Sequence, residues 1–253
     1  MQKEGTMLKS CQDAFGQMLL AYYENKPAQE IIERDDGLID VAGGLPMYFA
    51  EYENWYPLEK EAMRYVRQGR VLDIGCGAGR TALYLQALGF QVTGIDISPL
   101  AVEVCRRRGV NDVRLLSITK VSRSLGIFDT IVMMGNNWGL MGSFRRARWL
   151  LRRFSAITTA DARIIAFTTD PYRTADPFHK AYHEHNRLKG RMGGQVRIRC
   201  RFKTYIGPWF DYLLVSKEEM ASILQDSDWG VERYIEGEGP FYAVVLEKLR
   251  AQA

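Results

Sequence analysis

The stretch that decides the fold of this chain is Val71-Leu72-Asp73-Ile74-Gly75-Cys76-Gly77-Ala78-Gly79-Arg80. A short apolar run, predicted as a strand, ends in a turn with three alternating glycines, and a helix is predicted to begin at once. Glycines let the backbone approach a ligand without an intervening Cβ. The first amides of a helix are unpaired donors with a partial positive charge. The stretch therefore predicts a ligand-binding turn.

A second predicted strand, 91–95, ends in Asp96, a carboxylate suited to holding ribose hydroxyls. Dinucleotide-binding turns follow the pattern G-x-G-x-x-G, whereas the sixth position here is Arg80. Asp73 would repel a diphosphate and attract an ammonium group. The pattern thus favours an adenosine with a zwitterionic tail, and an NAD-binding oxidoreductase stays as an alternative.

Outward from this turn, predicted strands alternate with predicted helices of about ten residues, which indicates a parallel sheet with right-handed crossovers. The predicted strands are 70–74, 91–95, 113–116, 129–134 and 163–168. The predicted helices are 58–68, 80–88, 99–108 with Ser98 as its N-cap, and one marked by Phe144, Ala147, Leu151 and Phe154. Two further strands, 231–236 and 241–247, are predicted to close the chain, after a capping box at 216–219.

The segments V-L-D-I-G-C-G-A-G-R and G-I-D-I-S-P resemble motif I and the acidic, ribose-binding strand end of class I S-adenosylmethionine-dependent methyltransferases. Residues 128–134 resemble that family's fourth strand and 163–170 its fifth, so the resemblance covers about 58–170. It implies an α/β, Rossmann-like three-layer sandwich. The sheet would have about seven strands, mostly parallel with the last antiparallel.

The resemblance also implies which residues hold the cofactor, S-adenosylmethionine. The turn would contact the methionine tail with Asp73 near its ammonium, Asp96 would hold the ribose, and Ile97 would lie against the adenine. Relatives often carry Gly-Asp-Ala where this chain has Leu116-Ser117-Ile118, so the usual acidic contact to the adenine is missing. The full predicted set is Asp73, Gly75, Cys76, Gly77, Gly79, Asp96, Ile97, Ser117, Ile118, Gly135 and Asn136.

The catalytic candidates are Asn137, His179 and His183. Asn137 follows the fourth strand, where its carboxamide could orient an acceptor or fix a turn. His179 and His183 are four residues apart on a predicted helix, where either could act as a general base or simply belong to a surface helix. No H-E-x-x-H pattern and no third ligand are present in the sequence, so no metal is predicted.

The predicted organisation is an N-terminal segment, 1–57, followed by the methyltransferase domain, 58–253, with an insertion at about 171–209. Met7 to Tyr22 predict an amphipathic helix. The Gly-rich, aromatic stretch 36–57 is predicted to be a loop or lid rather than a sheet element. Its aromatic side chains would pack either on a flat ligand or on the core. Helix and stretch together are expected to close over the cofactor.

Charge is distributed unevenly along the chain. The total is +4, yet 143–203 holds fifteen Lys or Arg and four Asp or Glu, so the remainder is net negative. The segment 195–205 alternates as a half-buried strand with a cationic outer face. We therefore expect a small acceptor, with this basic region favouring an acidic one; an RNA or other nucleic-acid methyltransferase is the alternative.

The remaining expectations concern compartment and assembly. No apolar run approaches the roughly 18 residues that a membrane span needs, and no signal core precedes the first helix. The four cysteines form no C-x-x-C pair, which is typical of reduced thiols. A cytoplasmic protein without a membrane partner is expected, and the sequence predicts no oligomeric state.

Overall fold

The computed structural model describes residues 8–249, and Met7, which opens the predicted first helix, lies outside them. The helices are α1 (Ala14–Tyr23), α2 (Pro57–Met63), α3 (Arg80–Ala87), α4 (Pro99–Arg108), α5 (Phe144–Ala156), α6 (Pro177–Leu188) and α7 (Lys217–Leu224). The strands are β1 (Glu30–Arg34), β2 (Ile39–Ala42), β3 (Arg70–Ile74), β4 (Gln91–Asp96), β5 (Val113–Leu115), β6 (Phe128–Met133), β7 (Thr158–Thr169), β8 (Gln195–Phe202), β9 (Tyr205–Ile206), β10 (Phe210–Leu213), β11 (Trp229–Glu236) and β12 (Phe241–Lys248).

The strands form two sheets. Seven strands, β3 to β7 with β11 and β12, make up the larger one, and the other five belong to the second. Helices between the strands of the larger sheet confirm the predicted Rossmann-like α/β class. The described residues divide into two compact units, the first made of 8–55, 70–121 and 197–210, the second of 56–69, 122–196 and 211–249.

In the first unit, β3, β4 and β5 are parallel neighbours, with Arg70 opposite Gln91 and Gly94 opposite Val113. Positions 71–74 are all buried, as expected for a strand covered on both faces. Helix α4 begins as predicted, because the Ser98 hydroxyl accepts from the Ala101 amide at 3.0 Å and Pro99 occupies the first helical position.

The same unit contains a β-hairpin that was not predicted from the sequence. The prediction that 36–57 has no sheet element was wrong, since β2 pairs antiparallel with β1, and β1 pairs antiparallel with β8. The turn is at Gly37, whose φ of +90° suits glycine. Ile39 and Val41 are 53% and 51% exposed. Strand β2 therefore lacks the alternation of buried and exposed residues from which strands are recognised. Its extended conformation is maintained by pairing with β1.

In the second unit, β6 and β7 are parallel, while β12 pairs antiparallel with both β7 and β11. The predicted closing strands and the antiparallel last strand are thereby confirmed. Helix α2 is shorter than the predicted 58–68, and beyond it the Arg67 amide donates to Thr130 Oγ1 at 3.0 Å. The predicted capping box forms at α7, where Ser216 and Glu219 exchange side-chain and backbone hydrogen bonds.

Helix α5 buries Ala147, Leu150, Leu151 and Phe154 completely, so its apolar face lies in the core of the second unit. Its other face holds most of its arginines. Among residues 8–249, no helix combines the length and the apolar character that crossing a bilayer requires.

Candidate functional site

The glycine turn after β3 is fixed by backbone hydrogen bonds. The amides of Gly75 and Cys76 both donate to the Ile95 carbonyl, at 2.9 and 3.1 Å, which ties the turn to the end of β4. Gly75, Gly77 and Gly79 have φ values of +70°, +55° and +82°, a region that side chains other than glycine rarely adopt. The Cys105 thiol of α4 donates to the Gly77 carbonyl at 3.1 Å. The turn is thus held in place by hydrogen bonds to β4 and α4.

Asp96 lies at the end of β4 beside this turn. Its Oδ2 accepts from the Gly77 amide and its Oδ1 from the Ser98 amide, both at 3.0 Å. Burial raises the pKa of Asp96 to about 6, and the two amides oppose that rise. A carboxylate has about four lone-pair sites. The amides do not use all of them, so the carboxylate retains capacity to accept from a hydroxyl group of a ligand.

Asp73 is the second buried carboxylate, with 2% of its surface exposed. Burial raises its pKa to about 7, and the positive charge of Arg80 opposes the rise. Its Oδ2 has no hydrogen-bond partner within 8–249. A buried acceptor of this kind is costly unless a donor reaches it, so an ammonium group from a ligand fits here. The two carboxylate acceptors at the turn therefore suit the predicted cofactor.

The other predicted cofactor residues of the first unit lie at the ends of β4 and β5. Ile97 is 46% exposed, which leaves an apolar surface next to Asp96 for a flat ring. Ser117 caps a short helical turn, its hydroxyl accepting from the Thr119 amide at 3.3 Å, and Ile118 follows in that turn. The first unit thus brings Asp73, Gly75, Cys76, Gly77, Gly79 and Asp96 together, with Ile97, Ser117 and Ile118 at neighbouring strand ends.

Asp13 was not predicted from the sequence, although it supports this site. Its Oδ1 accepts from the Gly16 amide at the start of α1, and its Oδ2 accepts from the Leu100 amide at the start of α4, both at 3.0 Å. One fully buried carboxylate therefore caps two helices. The available signal was an Asp directly before an amphipathic helix, which predicts the first cap but not the second.

In the second unit, Gly135 and Asn136 form a tight turn after β6, with φ values of +63° and +69°. The Tyr212 hydroxyl donates to the Asn136 carbonyl at 2.5 Å, and the Thr169 hydroxyl donates to Asn136 Oδ1 at 3.2 Å. Asn137 opens a short 3-10 helix ending at Met141. Left-handed backbone is uncommon in a residue other than glycine. The conformation of Asn136 is therefore maintained by its hydrogen bonds with Tyr212 and Thr169.

The two candidate histidines lie on α6, also in the second unit. His183 is 6% exposed and packs edge-on against the Tyr172 ring, with centroids 5.6 Å apart, whereas His179 is partly exposed. The Tyr172 hydroxyl donates to Glu219, and burial raises the pKa of Tyr172 to about 12. Within the described part of the chain, no three His, Cys, Asp or Glu side chains group in a way that could hold a metal ion.

Part of the basic region is neutralised inside the fold. Arg199 of β8 donates to both carboxylate oxygens of Glu33 in β1, at 2.7 and 3.0 Å, and Arg201 lies 3.3 Å from the same carboxylate. Arg199 also stacks on Trp209, 4.3 Å from the ring centroid. Arg146 of α5 donates to the carbonyls of Met141 and Leu140. These arginines have structural partners, so the sequence charge overstates the charge available to a ligand.

Residues 71–161 match the family model described as a methyltransferase domain. The ubiquinone biosynthesis O-methyltransferase of Methylocella silvestris is 37% identical over 83 residues, 31% of this chain and 32% of that protein. A putative methyltransferase of a Geobacillus species is 46% identical over 52 residues, 19% of this chain and 21% of its own. The match thus spans about a third or less of these curated relatives.

Solved structures resemble a far larger share of the chain. A methyltransferase from Bacteroides fragilis, solved with S-adenosyl-L-homocysteine, has a TM-score of 0.82 and 25% identity, covering 97% of this chain and 98% of its own. A methyltransferase from Methanosarcina mazei, with a TM-score of 0.59 and 18% identity over 78% of this chain and 99% of its own, shares the fold. Together with the glycine turn and its two buried carboxylates, these findings show that the chain contains a methyltransferase domain with the fold of S-adenosylmethionine-dependent methyltransferases.

Proposed function

We propose that this protein transfers the methyl group of S-adenosylmethionine to a small acceptor. One observation carries the proposal, the pair of buried carboxylates at the glycine turn. Asp96 accepts from the Gly77 amide, while Asp73 has an oxygen with no partner within 8–249. This arrangement suits an adenosine whose tail bears an ammonium group. The diphosphate of a dinucleotide would instead place negative charge beside Asp73.

Different residues at the turn contact different parts of the cofactor. The remaining lone pairs of Asp96 accept from the ribose hydroxyls, and Asp73 Oδ2 accepts from the ammonium group. The N-terminus of α3 favours the tail carboxylate, because the partial positive charge at the start of a helix attracts anions. Ile97, with its exposed apolar side chain, packs on the adenine. Cys76, Gly79, Ser117, Ile118, Gly135 and Asn136 complete the proposed cofactor set.

When bound, the cofactor supplies a methyl group that its sulfonium already activates. The protein then contributes mainly alignment of the acceptor and exclusion of water. In the second unit, Asn136 Oδ1 accepts a hydrogen bond from the Thr169 hydroxyl. This leaves Asn136 Nδ2 as the atom that donates a hydrogen bond to the methyl acceptor. Asn137 is a further candidate for orientation, and His179 or His183 for proton removal.

An oxygen nucleophile on a small molecule is the first acceptor class to test. Several relatives are named O-methyltransferases, and an amide donor such as Asn136 Nδ2 suits an acceptor oxygen. The internal pairing of Arg199 and Arg201 with Glu33 removes part of the charge on which the nucleic-acid alternative depended. The positive charges of the exposed Arg145 and Arg152 still favour an acidic small acceptor, but only through the overall charge of the protein.

The direct test is calorimetry on the full chain with S-adenosylmethionine, S-adenosylhomocysteine and NADH, followed by an acceptor screen. We expect binding of the first two and none of NADH. Transfer of a labelled methyl group is then measured with phenols, catechols, carboxylic acids and amines. Binding of NADH without binding of S-adenosylhomocysteine would contradict the proposal.

The two raised carboxyl pKa values predict that cofactor affinity depends on pH. In the free protein, Asp73 and Asp96 have pKa values of about 7 and about 6, so both are largely protonated at pH 5. An ammonium group favours the ionised form of Asp73, so binding releases protons and affinity rises with pH until the free-protein pKa values are passed. We expect S-adenosylhomocysteine to bind about tenfold or more tightly at pH 7.5 than at pH 5.

Titrations in two buffers of different ionisation enthalpy would count the released protons directly. The Asp73→Asn variant should bind more weakly at pH 7.5 and show a flatter pH profile. The raised pKa values of Asp73 and Asp96 also affect stability. At pH 5 both groups are protonated in the folded protein, whereas in the unfolded chain they have lost their protons. Their contribution to folding stability therefore falls as the pH rises toward 7. A wild-type affinity that is constant from pH 5 to 7.5 would contradict the assignment of Asp73.

A further inference from the structure

Two aromatic side chains of the N-terminal segment cover the glycine turn. A Cβ placed on Gly77 would lie 3.4 Å from Tyr48 Cδ1 and 3.8 Å from Phe15 Cζ, which is van der Waals contact. The two rings also pack edge-on against each other, with centroids 5.4 Å apart. Tyr48 and Phe15 therefore lie directly on the residue whose amide donates to Asp96.

The position of the Tyr48 ring is set from β1. Its hydroxyl donates to Glu30 Oε1 at 2.8 Å, and Glu30 is buried. Burial raises the pKa of Glu30, while the tyrosine hydroxyl opposes that rise. Because β1 pairs with both β2 and β8, the carboxylate is held by a three-stranded part of the second sheet. A hydrogen bond to a buried group on a paired strand restricts the ring to one orientation.

A second contact joins the backbone of this segment to the turn itself. Arg108, the last residue of α4, donates through Nη1 to the Ala78 carbonyl at 2.6 Å and to the Tyr48 carbonyl at 3.5 Å. Its Nη2 donates to the Phe49 carbonyl at 3.4 Å, and its guanidinium lies 5.0 Å from the Phe49 ring centroid. One arginine thus connects the glycine turn with the residues that carry the Tyr48 ring.

The other sides of the turn already have partners. The Ile95 carbonyl, the Asp96 carboxylate and the Cys105 thiol contact Gly75, Cys76 and Gly77 from β4 and α4. Tyr48 and Phe15 contact it from the N-terminal segment. A tail seated on the turn, with its ammonium at Asp73, would therefore meet these rings.

We propose that Tyr48 is a cofactor-contacting residue that covers the methionine tail, and that Glu30 and Arg108 are positioning residues that hold Tyr48 over the glycine turn. The proposal rests on the proposed function, since it presumes that S-adenosylmethionine binds at this turn. It assigns the hairpin β1–β2, absent from the sequence prediction, a role in the site. Of the two roles open to the aromatic side chains of 36–57, it assigns Tyr48 contact with the ligand and not only packing on the core.

The test is the affinity of S-adenosylhomocysteine for single variants of the full chain, measured by calorimetry. Tyr48→Ala should weaken binding about tenfold or more, because it removes the whole ring. Tyr48→Phe and Glu30→Ala each remove one hydrogen bond, so a loss of about three- to tenfold is expected. Glu30→Gln keeps an acceptor oxygen and should restore affinity to within about twofold of wild type.

Tyr52→Ala is the matched control, because Tyr52 lies in the same segment but stacks on Tyr84, with ring centroids 4.2 Å apart. It should cost stability comparable to Tyr48→Ala and leave affinity within about twofold. Ring-labelled tyrosine in the wild-type chain gives a second readout, since S-adenosylhomocysteine should shift the resonance that is missing in Tyr48→Phe.

The outcomes separate the two proposals. If the wild-type chain does not bind S-adenosylhomocysteine, the proposed function fails. If the wild-type chain binds it and folded Tyr48→Ala binds it equally well, with no shift of the Tyr48 resonance, the role of Tyr48 alone is overturned. If Glu30→Gln loses as much affinity as Glu30→Ala, the hydrogen bond does not position the ring.

Discussion

Replacing Asp96 with alanine is expected to abolish binding of S-adenosylhomocysteine, with a loss of at least about 100-fold in affinity. The substitution removes the acceptor proposed for the ribose hydroxyls, and hydrogen bonds to a charged group are worth about 1.5–3 kcal/mol each. It also leaves the Gly77 and Ser98 amides without the carboxylate to which they donate. The measurement is calorimetric titration at pH 7.5, where Asp96 is ionised.

Two variants make this result interpretable. Asp112→Ala removes a carboxylate of the same unit that pairs with Arg114 at the start of β5, and it should leave affinity unchanged. Asp96→Asn keeps one acceptor oxygen and should bind with intermediate affinity. Thermal unfolding of each variant shows whether the protein is folded under the conditions of the titration. Affinity of folded Asp96→Ala within about threefold of wild type would rule out the assigned ribose contact.

Replacing Gly79 with alanine should lower the free energy of unfolding by about 2–5 kcal/mol. The backbone there has φ +82°, a left-handed conformation that costs an alanine about 1–2 kcal/mol. The new Cβ would also lie 2.7 Å from Val110 Cγ2 and 3.0 Å from Cys105 Sγ. Overpacking of that kind costs about 1–3 kcal/mol more. Urea unfolding followed by circular dichroism measures the loss.

Gly109→Ala is the matched control for this prediction. Gly109 ends α4 with φ +96°, and a Cβ there meets no atom of the described residues within 4 Å. It should therefore cost only the conformational part, about 1–2 kcal/mol. Equal losses for the two variants would show that the contact with Val110 and Cys105 relaxes freely, contrary to the expectation for a packed turn.

The core of the cofactor site could be predicted because its signals are local. The apolar run 71–74, the glycines at 75, 77 and 79, and the Ser98-Pro99 cap each depend on neighbours within a few residues. The order of these elements then follows from the handedness of parallel crossovers. Asp73 and Asp96 are brought to the turn by that local geometry, with β3 and β4 in register from Arg70 opposite Gln91.

The remainder of the site depends on contacts between residues far apart in the sequence. The hairpin β1–β2 escaped prediction because its β2 side chains are exposed, and β1 takes its other partner from β8. Arg199 and Glu33 are 166 residues apart, so no local pattern could show that they form an ion pair. The sequence could count the cations of 143–203, but not which of them the fold neutralises.

By itself, the sequence therefore determined the strand–turn–helix unit and the class of ligand it suits, because backbone conformation and capping are set by adjacent residues. Only the tertiary structure decided what covers that turn. Tyr48 reaches Gly77 because Glu30 and Arg108 hold it, and those contacts join β1, α4 and the glycine turn across 18 to 60 residues of chain. Pairings at such separations depend on packing and charge in three dimensions, which no spacing rule along the chain encodes.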